Sequence, residues 1–281
     1  MTFAPGTPAR PAEADRADGP WQPDSSGEKI LLSVRGLVKR FGAVEALSGV
    51  DLEVPEGKVT ALVGDNGAGK STLIKTISGI WEPDGGEILW DGKPVRIRGP
   101  KGASGLGIAT VYQDLALCDN LDIVENMFLG HEVLNRGLLD ESSMELEARR
   151  TLGDLSVTTV RSIRQLVGSL SGGQRQAVAV ARAVMQNARL VIMDEPTAAL
   201  GVSQTAMVLD LIASLRSRNI AVLLISHNLN EVFGVADQIA VLYLGRMAAS
   251  GPVSEFDVQS TVEAITTGRR AERSAGPNGS V

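Results

Sequence analysis

The sequence predicts an α/β fold: a mostly parallel sheet with flanking helices, a small antiparallel side sheet, and an inserted helical subdomain. A glycine-rich loop over 64–69 lies between an apolar run, 59–63, and a helix-like segment, 71–78. Strand-like and helix-like segments alternate from 189 to 243, an order typical of a parallel sheet. Turn residues at 83–86 precede short strand-like runs, which favours antiparallel pairing.

Length and composition fit one globular domain. The chain has 281 residues, 43% of them hydrophobic and 21% charged, with a formal net charge of −6. An acidic balance gives no basic footprint for a nucleic-acid partner. A single cysteine, Cys118, excludes an internal disulfide. No apolar run approaches the roughly 20 residues that span a bilayer, and the first residues lack a signal-peptide core. These features predict a cytoplasmic protein whose membrane contact is peripheral.

Both ends of the chain are predicted to be disordered tails. Residues 1–28 are rich in Pro, Ala and Asp without a hydrophobic period, and residues 269–281 are polar and Gly-rich. The tails enclose a predicted domain over 29–268.

Short strands dominate the first half of this domain. The run Lys39-Arg40-Phe41-Gly42 predicts a turn that exposes an aromatic ring, and Asp91-Gly92 predicts a hairpin turn in the side sheet. The predicted strands, in chain order, cover residues 30–34, 47–54, 58–63, 87–90, 95–98 and 108–112.

Helices become frequent in the second half. A helical subdomain is predicted at about 114–168, where Asn120 or Asp122 caps a helix over 123–129 and a charged helix covers 142–152. After it, helices are predicted at 177–185 and near 204–218, and strands at 189–193, 220–225 and 239–243.

The glycine-rich loop matches the phosphate-binding pattern G-x-x-x-x-G-K-[ST]. Its glycines allow close backbone approach, and N–H groups at the helix start then converge on phosphate oxygens. Lys70 can bring charge to the outer phosphates, and the Ser71 hydroxyl is placed to ligate magnesium. The alternative, a chance match in a Gly-rich turn, is disfavoured by the strand before and the helix after. The loop, which predicts binding of a nucleoside triphosphate with Mg²⁺, reads Gly64-Asp65-Asn66-Gly67-Ala68-Gly69-Lys70-Ser71-Thr72.

A second helix start also carries glycines. The run Leu170-Ser171-Gly172-Gly173-Gln174 precedes a helical segment, so its N–H groups and helix dipole can hold another anion. The alternative is an ordinary N-cap with a flexible turn.

With this second motif the chain resembles the ATP-binding-cassette (ABC) family, whose signature is the L-S-G-G-Q run at 170–174. The resemblance covers roughly 31–267. It implies a P-loop NTPase fold with a RecA-like sheet, and hydrolysis of ATP with Mg²⁺. It also implies a head-to-tail homodimer, in which the signature of one subunit closes over the nucleotide in the phosphate loop of the other.

The resemblance assigns roles to residues that follow predicted strands. Asp194 holds magnesium directly or through water, and Glu195 orients and deprotonates the attacking water. The alternative is that both carboxylates cap the next helix. His227 is the switch histidine that contacts the terminal phosphate, the alternative being a structural histidine.

Two further residues match the family less specifically. Gln113 corresponds to the glutamine that touches magnesium or the attacking water. Phe41 corresponds to the aromatic that stacks on adenine, with a buried Phe as the alternative. The chain departs from the family at Gly201, where an aspartate usually helps connect the two sites of the dimer, so coupling between sites is expected to be weaker or differently built.

Within the family, the segments 112–117, 197–202 and 226–233 resemble the ATPase subunits of bacterial monosaccharide importers. The chain has one cassette and no internal repeat, so the resemblance implies a single-cassette homodimer at the cytoplasmic face of the inner membrane. Its implied partners are an integral-membrane permease, gripped by the helical subdomain, and indirectly an extracytoplasmic sugar-binding protein. Open alternatives are a transporter for amino acids or drugs, an ABC ATPase acting on DNA or ribosomes, and a regulatory module without turnover.

Overall fold

The computed structural model describes residues 28–157 and 159–269. The two predicted tails therefore lie outside the described residues, apart from residues 28 and 269. The strands are β1 (Ile30–Phe41), β2 (Val44–Pro55), β3 (Val59–Val63), β4 (Gly85–Trp90), β5 (Lys93–Val95), β6 (Ile108–Val111), β7 (Leu134–Asn135), β8 (Leu138–Leu139), β9 (Leu190–Asp194), β10 (Ala221–Ile225), β11 (Gln238–Tyr243) and β12 (Arg246–Pro252). The α-helices are α1 (Lys70–Ile77), α2 (Gly99–Leu106), α3 (Ile123–Phe128), α4 (Glu141–Asp154), α5 (Gly172–Met185), α6 (Val202–Ser217), α7 (Leu229–Val235) and α8 (Val258–Thr267), with 3-10 helices at Val167–Ser169 and Val253–Glu255.

The main sheet has the strand order β12-β11-β3-β10-β9-β6. All neighbouring strands in it run parallel except β11 and β12, which are antiparallel. Strand β3 is buried along its whole length, as expected for a parallel strand that is covered on both faces. The predicted mostly parallel sheet is confirmed.

The side sheet is antiparallel, in the order β2-β1-β4-β5, and Asp91 and Gly92 form its last hairpin turn with φ of 54° and 73°. The prediction of a turn over 39–42 is wrong for all but its last residue. Lys39, Arg40 and Phe41 belong to β1 because they pair with β2, and the chain turns only at Gly42, whose φ is 59°.

Two hydrophobic cores lie on opposite faces of the main sheet. Side chains of a strand alternate between faces, so Val63 joins one core with residues of α5 and α6, such as Val180 and Ile212. Leu62 joins the other core, with Leu31 of the side sheet and other residues. Each face of β3 is therefore held by a different layer, which fixes the position of the loop that follows it.

The segment between β6 and β9 is mostly helical. Asp122 caps α3, because its carboxylate accepts from Glu125 N at 2.8 Å while the Glu125 carboxylate accepts from Asp122 N at 2.9 Å. Arg164 lies within 3.0 Å of Asp122 and pairs with two glutamates of α4.

A short hairpin, β7 and β8, was not predicted. Helix α5 also packs against α3 and α4, and the boundaries proposed for the helical subdomain stay a prediction.

Candidate functional site

The predicted chemical residues follow strands that end at one edge of the main sheet. Ile225 of β10 is paired with Leu62 of β3 and with Asp194 of β9, and Val111 of β6 is paired with Met193. Because the carboxyl ends of parallel strands lie together, the loops after β3, β6, β9 and β10 meet at this edge. They carry the phosphate loop, the glutamine, the acidic pair and the histidine.

The phosphate loop depends on glycine where it passes close to other backbone. A Cβ atom at Gly64 would lie 2.3 Å from the Leu242 carbonyl oxygen of β11, and one at Gly69 would lie 2.8 Å from the Ala46 carbonyl oxygen of β2. Gly67 has φ of 81°, and its Cβ would meet no described atom within 4 Å. The loop is thus tightly packed at both ends and open in its middle.

Helix α1 begins directly at the loop. Its N-cap is Gly69, and among the described residues no side chain caps it. Lys70 is only 8% exposed, and its Nζ donates to the carbonyl oxygens of Gly64 at 2.8 Å and of Asp65 at 3.0 Å. Burial lowers the pKa of Lys70, and the neighbouring carboxylates of Glu195 and other residues oppose that shift. The loop therefore encloses a partly desolvated cation beside uncapped N–H groups, which suits a polyanion.

Asp194, the last residue of β9, is a candidate magnesium ligand. Burial raises its pKa, and the charge of the adjacent Glu195 raises it further, while Lys70 opposes the shift. A carboxylate in that position gains from a nearby divalent cation, and Ser71 offers an exposed hydroxyl on the first turn of α1. The described residues hold no group of three or more His, Cys, Asp or Glu side chains that could bind a metal. One carboxylate and one hydroxyl beside the phosphate loop fit Mg²⁺, which keeps water and substrate phosphates among its ligands.

Glu195 and His227 face each other across this edge. Glu195 Oε2 lies 3.4 Å from His227 Nδ1, and the histidine side chain is 68% exposed. Glu195 has φ of 50°, a left-handed conformation that is uncommon for a residue with a side chain, and its N–H donates to the Ile225 carbonyl at 3.0 Å. The backbone thus holds the carboxylate over the ends of β9 and β10, where it can accept a proton.

The other edge residue, Gln113, is exposed two residues after β6 ends. Phe41 lies at the end of β1 and is 41% exposed, so the alternative of a buried Phe is excluded. Its ring packs edge-on against Trp81, with centroids 4.7 Å apart, and Lys39 Nζ lies 5.5 Å from the Phe41 ring. Trp81 was missed from the sequence because nothing local links it to residue 41.

The signature run begins helix α5. Ser171 is its N-cap, and the Ser171 hydroxyl accepts from Gln174 N at 3.4 Å while Gln174 Oε1 accepts from Ser171 N at 2.9 Å. Gln174 Nε2 also donates to the Thr159 carbonyl at 2.7 Å. A Cβ atom at Gly172 would lie 2.5 Å from Leu200 Cδ2, in the loop that follows Glu195. The N-cap that the sequence left as an alternative is present, and this helix start packs against the acidic loop.

The fold and the residues at this edge of the main sheet together define a class of protein, the P-loop NTPases. A parallel sheet presents a glycine loop, a buried lysine, an aspartate at a strand end and a neighbouring carboxylate, which is the arrangement that binds a nucleoside triphosphate with its metal. No helix within 28–157 or 159–269 combines the length and apolar character needed to cross a membrane.

Comparison with known proteins identifies the family. The model of the family described as ABC transporter matches residues 47–198, more than half of the chain. The fructose import ATP-binding protein FrcA of Rhizobium meliloti is 46% identical over 255 residues, which are 88% of this chain and 98% of that protein. The xylose/arabinose import ATP-binding protein XylG of Sulfolobus acidocaldarius is 46% identical, over 84% of this chain and 94% of that protein.

A solved ATP-binding cassette of an ABC transporter superposes with a TM-score of 0.74 at 28% identity, over 84% of this chain and 96% of that one. The chain belongs to the ABC transporter family. The resemblance drawn from its motifs is confirmed, including the branch, because the two relatives above carry monosaccharide import names. The roles of individual site residues stay predictions.

Proposed function

We propose that this chain is the ATP-hydrolysing subunit of a monosaccharide importer, acting as a homodimer at the cytoplasmic face of the cell membrane. Relatives at 46% identity are named as import ATP-binding proteins for fructose and for xylose and arabinose. The observation that supports the catalytic assignment is the Glu195–His227 pair, 3.4 Å apart at the sheet edge where the phosphate loop begins.

In the proposed reaction, a water oxygen bonds to the γ-phosphorus of ATP while the bond from that phosphorus to the β,γ-bridging oxygen breaks. Glu195 accepts the proton that water loses, and the products are ADP and inorganic phosphate. Lys70 and the N–H groups at the start of α1 stabilise the charge on the outer phosphates. Mg²⁺, held by Ser71 and Asp194, would neutralise phosphate charge.

Three further roles complete the site. His227 contacts the terminal phosphate and responds to its loss. Gln113, two residues after the end of β6, would contact the metal or the attacking water. Phe41 stacks on adenine, for which its exposed position at the end of β1 leaves room.

The second copy of the chain closes the site. Its signature run would face the nucleotide held by the first copy, and two ATP molecules would lie between the copies. The start of α5 supports this arrangement, since N–H groups at a helix N-terminus and the helix dipole can hold an anion. The residues proposed for this contact are Ser171, Gly172, Gly173 and Gln174.

The permease is proposed to bind beside the helical subdomain. A cavity of about 310 Å³ lies between the sheet and α5, lined among others by Tyr112, Leu115 and Arg182, and it borders the segment that carries Gln113. Closure of the dimer would move the helical subdomain and with it the permease. The sugar would reach the permease from an extracytoplasmic binding protein and would not touch this chain.

Replacement of the proposed base tests the proposal. Glu195→Gln keeps the size of the side chain but cannot accept the proton, so ATP turnover by the purified chain is expected to fall by about 10²–10⁴. ATP affinity should persist, and a nucleotide-bound dimer should accumulate in size-exclusion chromatography with light scattering. Glu147→Gln, an exposed glutamate of α4, is the matched control.

Turnover of Glu195→Gln at the wild-type rate would contradict the catalytic assignment. So would a variant that stays monomeric at saturating ATP while the wild type turns over as a monomer. In cells where Glu195→Gln is the sole copy, uptake of one labelled monosaccharide among fructose, xylose and ribose should be lost, with amino-acid uptake retained. The reverse pattern would assign the chain to another transport substrate.

A further inference from the structure

One carboxylate connects the loop that carries Glu195 to the loop that carries His227. The Thr197 hydroxyl donates to Glu231 Oε2 at 2.5 Å, and Asn228 Nδ2 donates to Glu231 Oε1 at 2.8 Å. Thr197 follows Glu195 by two residues, and Asn228 follows His227 directly. Glu231 therefore uses both of its oxygens to hold the two segments that flank the proposed reacting groups.

The histidine side of this link is anchored on α7. Asn228 caps α7 by accepting from Asn230 N at 3.2 Å, and Asn228 N donates to Ser226 Oγ at 3.0 Å. Val232, next to Glu231, is fully buried in the core. Glu231 therefore lies on a helix that is packed against the core, and this packing restricts the position of its carboxylate.

The acid side of the link is a tight loop. Ala198 N donates to the Glu195 carbonyl at 3.1 Å, and Leu200 N donates to the Thr197 carbonyl at 3.2 Å. Leu200 then lies against Gly172 of α5. The hydrogen bond from the Thr197 hydroxyl therefore positions a loop that follows the proposed base, Glu195, and contacts the signature helix α5 through Leu200. Gly201, at the end of the loop, has no side chain that could help to position it.

We propose that Glu231 is a positioning residue for ATP hydrolysis, holding Glu195 and His227 at their working separation through Thr197 and Asn228. This role rests on the proposed function, because it takes Glu195 and His227 as the groups that meet water and phosphate. Hydrogen bonds to a carboxylate are stronger than neutral ones, and the bond from Thr197 is partly shielded from water. In this role Glu231 acts through Thr197 and Asn228, from which its two oxygens accept hydrogen bonds.

The other role open to these bonds is to stabilise α7 alone. The two roles differ in kinetics: loss of a helix contact lowers the melting temperature and leaves turnover of the folded protein intact. Loss of positioning lowers kcat while KM for ATP stays constant, since the phosphate loop that binds ATP is unchanged.

Thr197 allows the cleaner test because it carries no charge. In the purified full chain, Thr197→Val is expected to lower kcat for ATP about tenfold, the effect of one lost hydrogen bond to a charged group, with KM unchanged. Thr197→Ser, which keeps the hydroxyl, should restore turnover. Glu231→Ala should lower kcat at least as far as Thr197→Val, and adding Thr197→Val to it should cause no further loss.

Glu147→Ala, on the exposed side of α4, is the control for removing a glutamate. Wild-type kcat in both Thr197→Val and Glu231→Ala would overturn the positioning role, as would equal losses in the Ser and Val variants. If Glu231→Ala fails to fold, the Thr197 pair decides the outcome. A wild-type chain that hydrolyses no ATP would overturn the proposed function and this role together, whereas normal turnover in all variants would overturn this role alone.

Discussion

Two glycine-bearing helix starts, those of α1 and α5, look alike in the sequence and differ in the structure. Helix α1 has Gly69 as its N-cap and, among the described residues, no side-chain cap. Helix α5 has Ser171 as its N-cap and a reciprocal bond pair with Gln174. The first start leaves its N–H groups to an outside anion, and the second is partly satisfied by its own side chains. Glycine next to a helix start therefore does not by itself specify a phosphate site.

The glycines also serve different contacts. At Gly64 a side chain would collide with a carbonyl oxygen of β11, and backbone in a buried strand cannot move aside. At Gly172 it would collide with the end of the Leu200 side chain, which can rotate. The first start also lies beside buried charge, since burial lowers the pKa of Lys70 and raises the pKa of Asp194 there. The phosphate loop is thus the part of the molecule that its ligand completes.

Of the substitutions that separate the two helix starts, Lys70→Ala is expected to have the largest effect. Lys70→Ala removes the buried cation, so the dissociation constant for ATP should rise roughly 10- to 100-fold, as for lost hydrogen bonds to charged groups. Turnover should fall further, by about 10²–10³, because charge stabilisation in the transition state is lost as well. Isothermal calorimetry and a phosphate-release assay measure the two effects. Lys101→Ala on α2 is the exposed control, and unchanged ATP affinity in Lys70→Ala would contradict the phosphate-loop assignment.

The next effect concerns the signature helix. Ser171→Ala removes the cap of α5, which should cost about 0.5–2 kcal/mol of folding free energy. Because Ser171 is proposed to meet nucleotide only on the other copy, ATP affinity of the isolated monomer should not change, while turnover at dimer-forming concentrations should fall about tenfold. Thermal denaturation, monomer binding and turnover measure these separately. Ser142→Ala on α4 is the control, and a loss of monomer affinity would place the two helix starts on the same nucleotide.

The smallest effect is a pH-dependent stability at Asp194. Its pKa is raised in the folded protein, so folding favours the protonated form, and its contribution to stability is lost as pH rises through that raised pKa. Without nucleotide, Asp194→Asn should therefore melt a few degrees above the wild type near neutral pH. The difference should vanish once pH falls below the ordinary aspartate pKa of about 3.9.

Scanning calorimetry across that pH range tests the sign. Asp210→Asn, on the exposed side of α6, controls for removing a carboxylate. A variant that melts below the wild type at neutral pH would show that the ionised Asp194 stabilises the empty site, which would contradict a raised pKa for this carboxyl.

Local patterns predicted the elements whose signals lie within a few residues. The strand, loop and helix around Lys70 were placed within one residue, and the structure selects Asp122 from the two caps proposed for α3. The turn at Lys39 was misplaced because β1 continues only by pairing with β2. Helix α7 was missed because it has seven residues, too few for a clear period. Glu231 was missed because its partner Thr197 is 34 residues away.

The sequence by itself determined the chemistry of this protein: which loop can hold phosphate, which acids and which histidine follow strands, and which family the motifs belong to. Those features are local, since a glycine loop needs its own residues and a strand end needs only the strand before it. The tertiary structure decided which side chains meet. The register of β3, β9 and β10 brings Glu195 to His227 and links both through Glu231, and such contacts depend on the packing of strands that are distant in the chain.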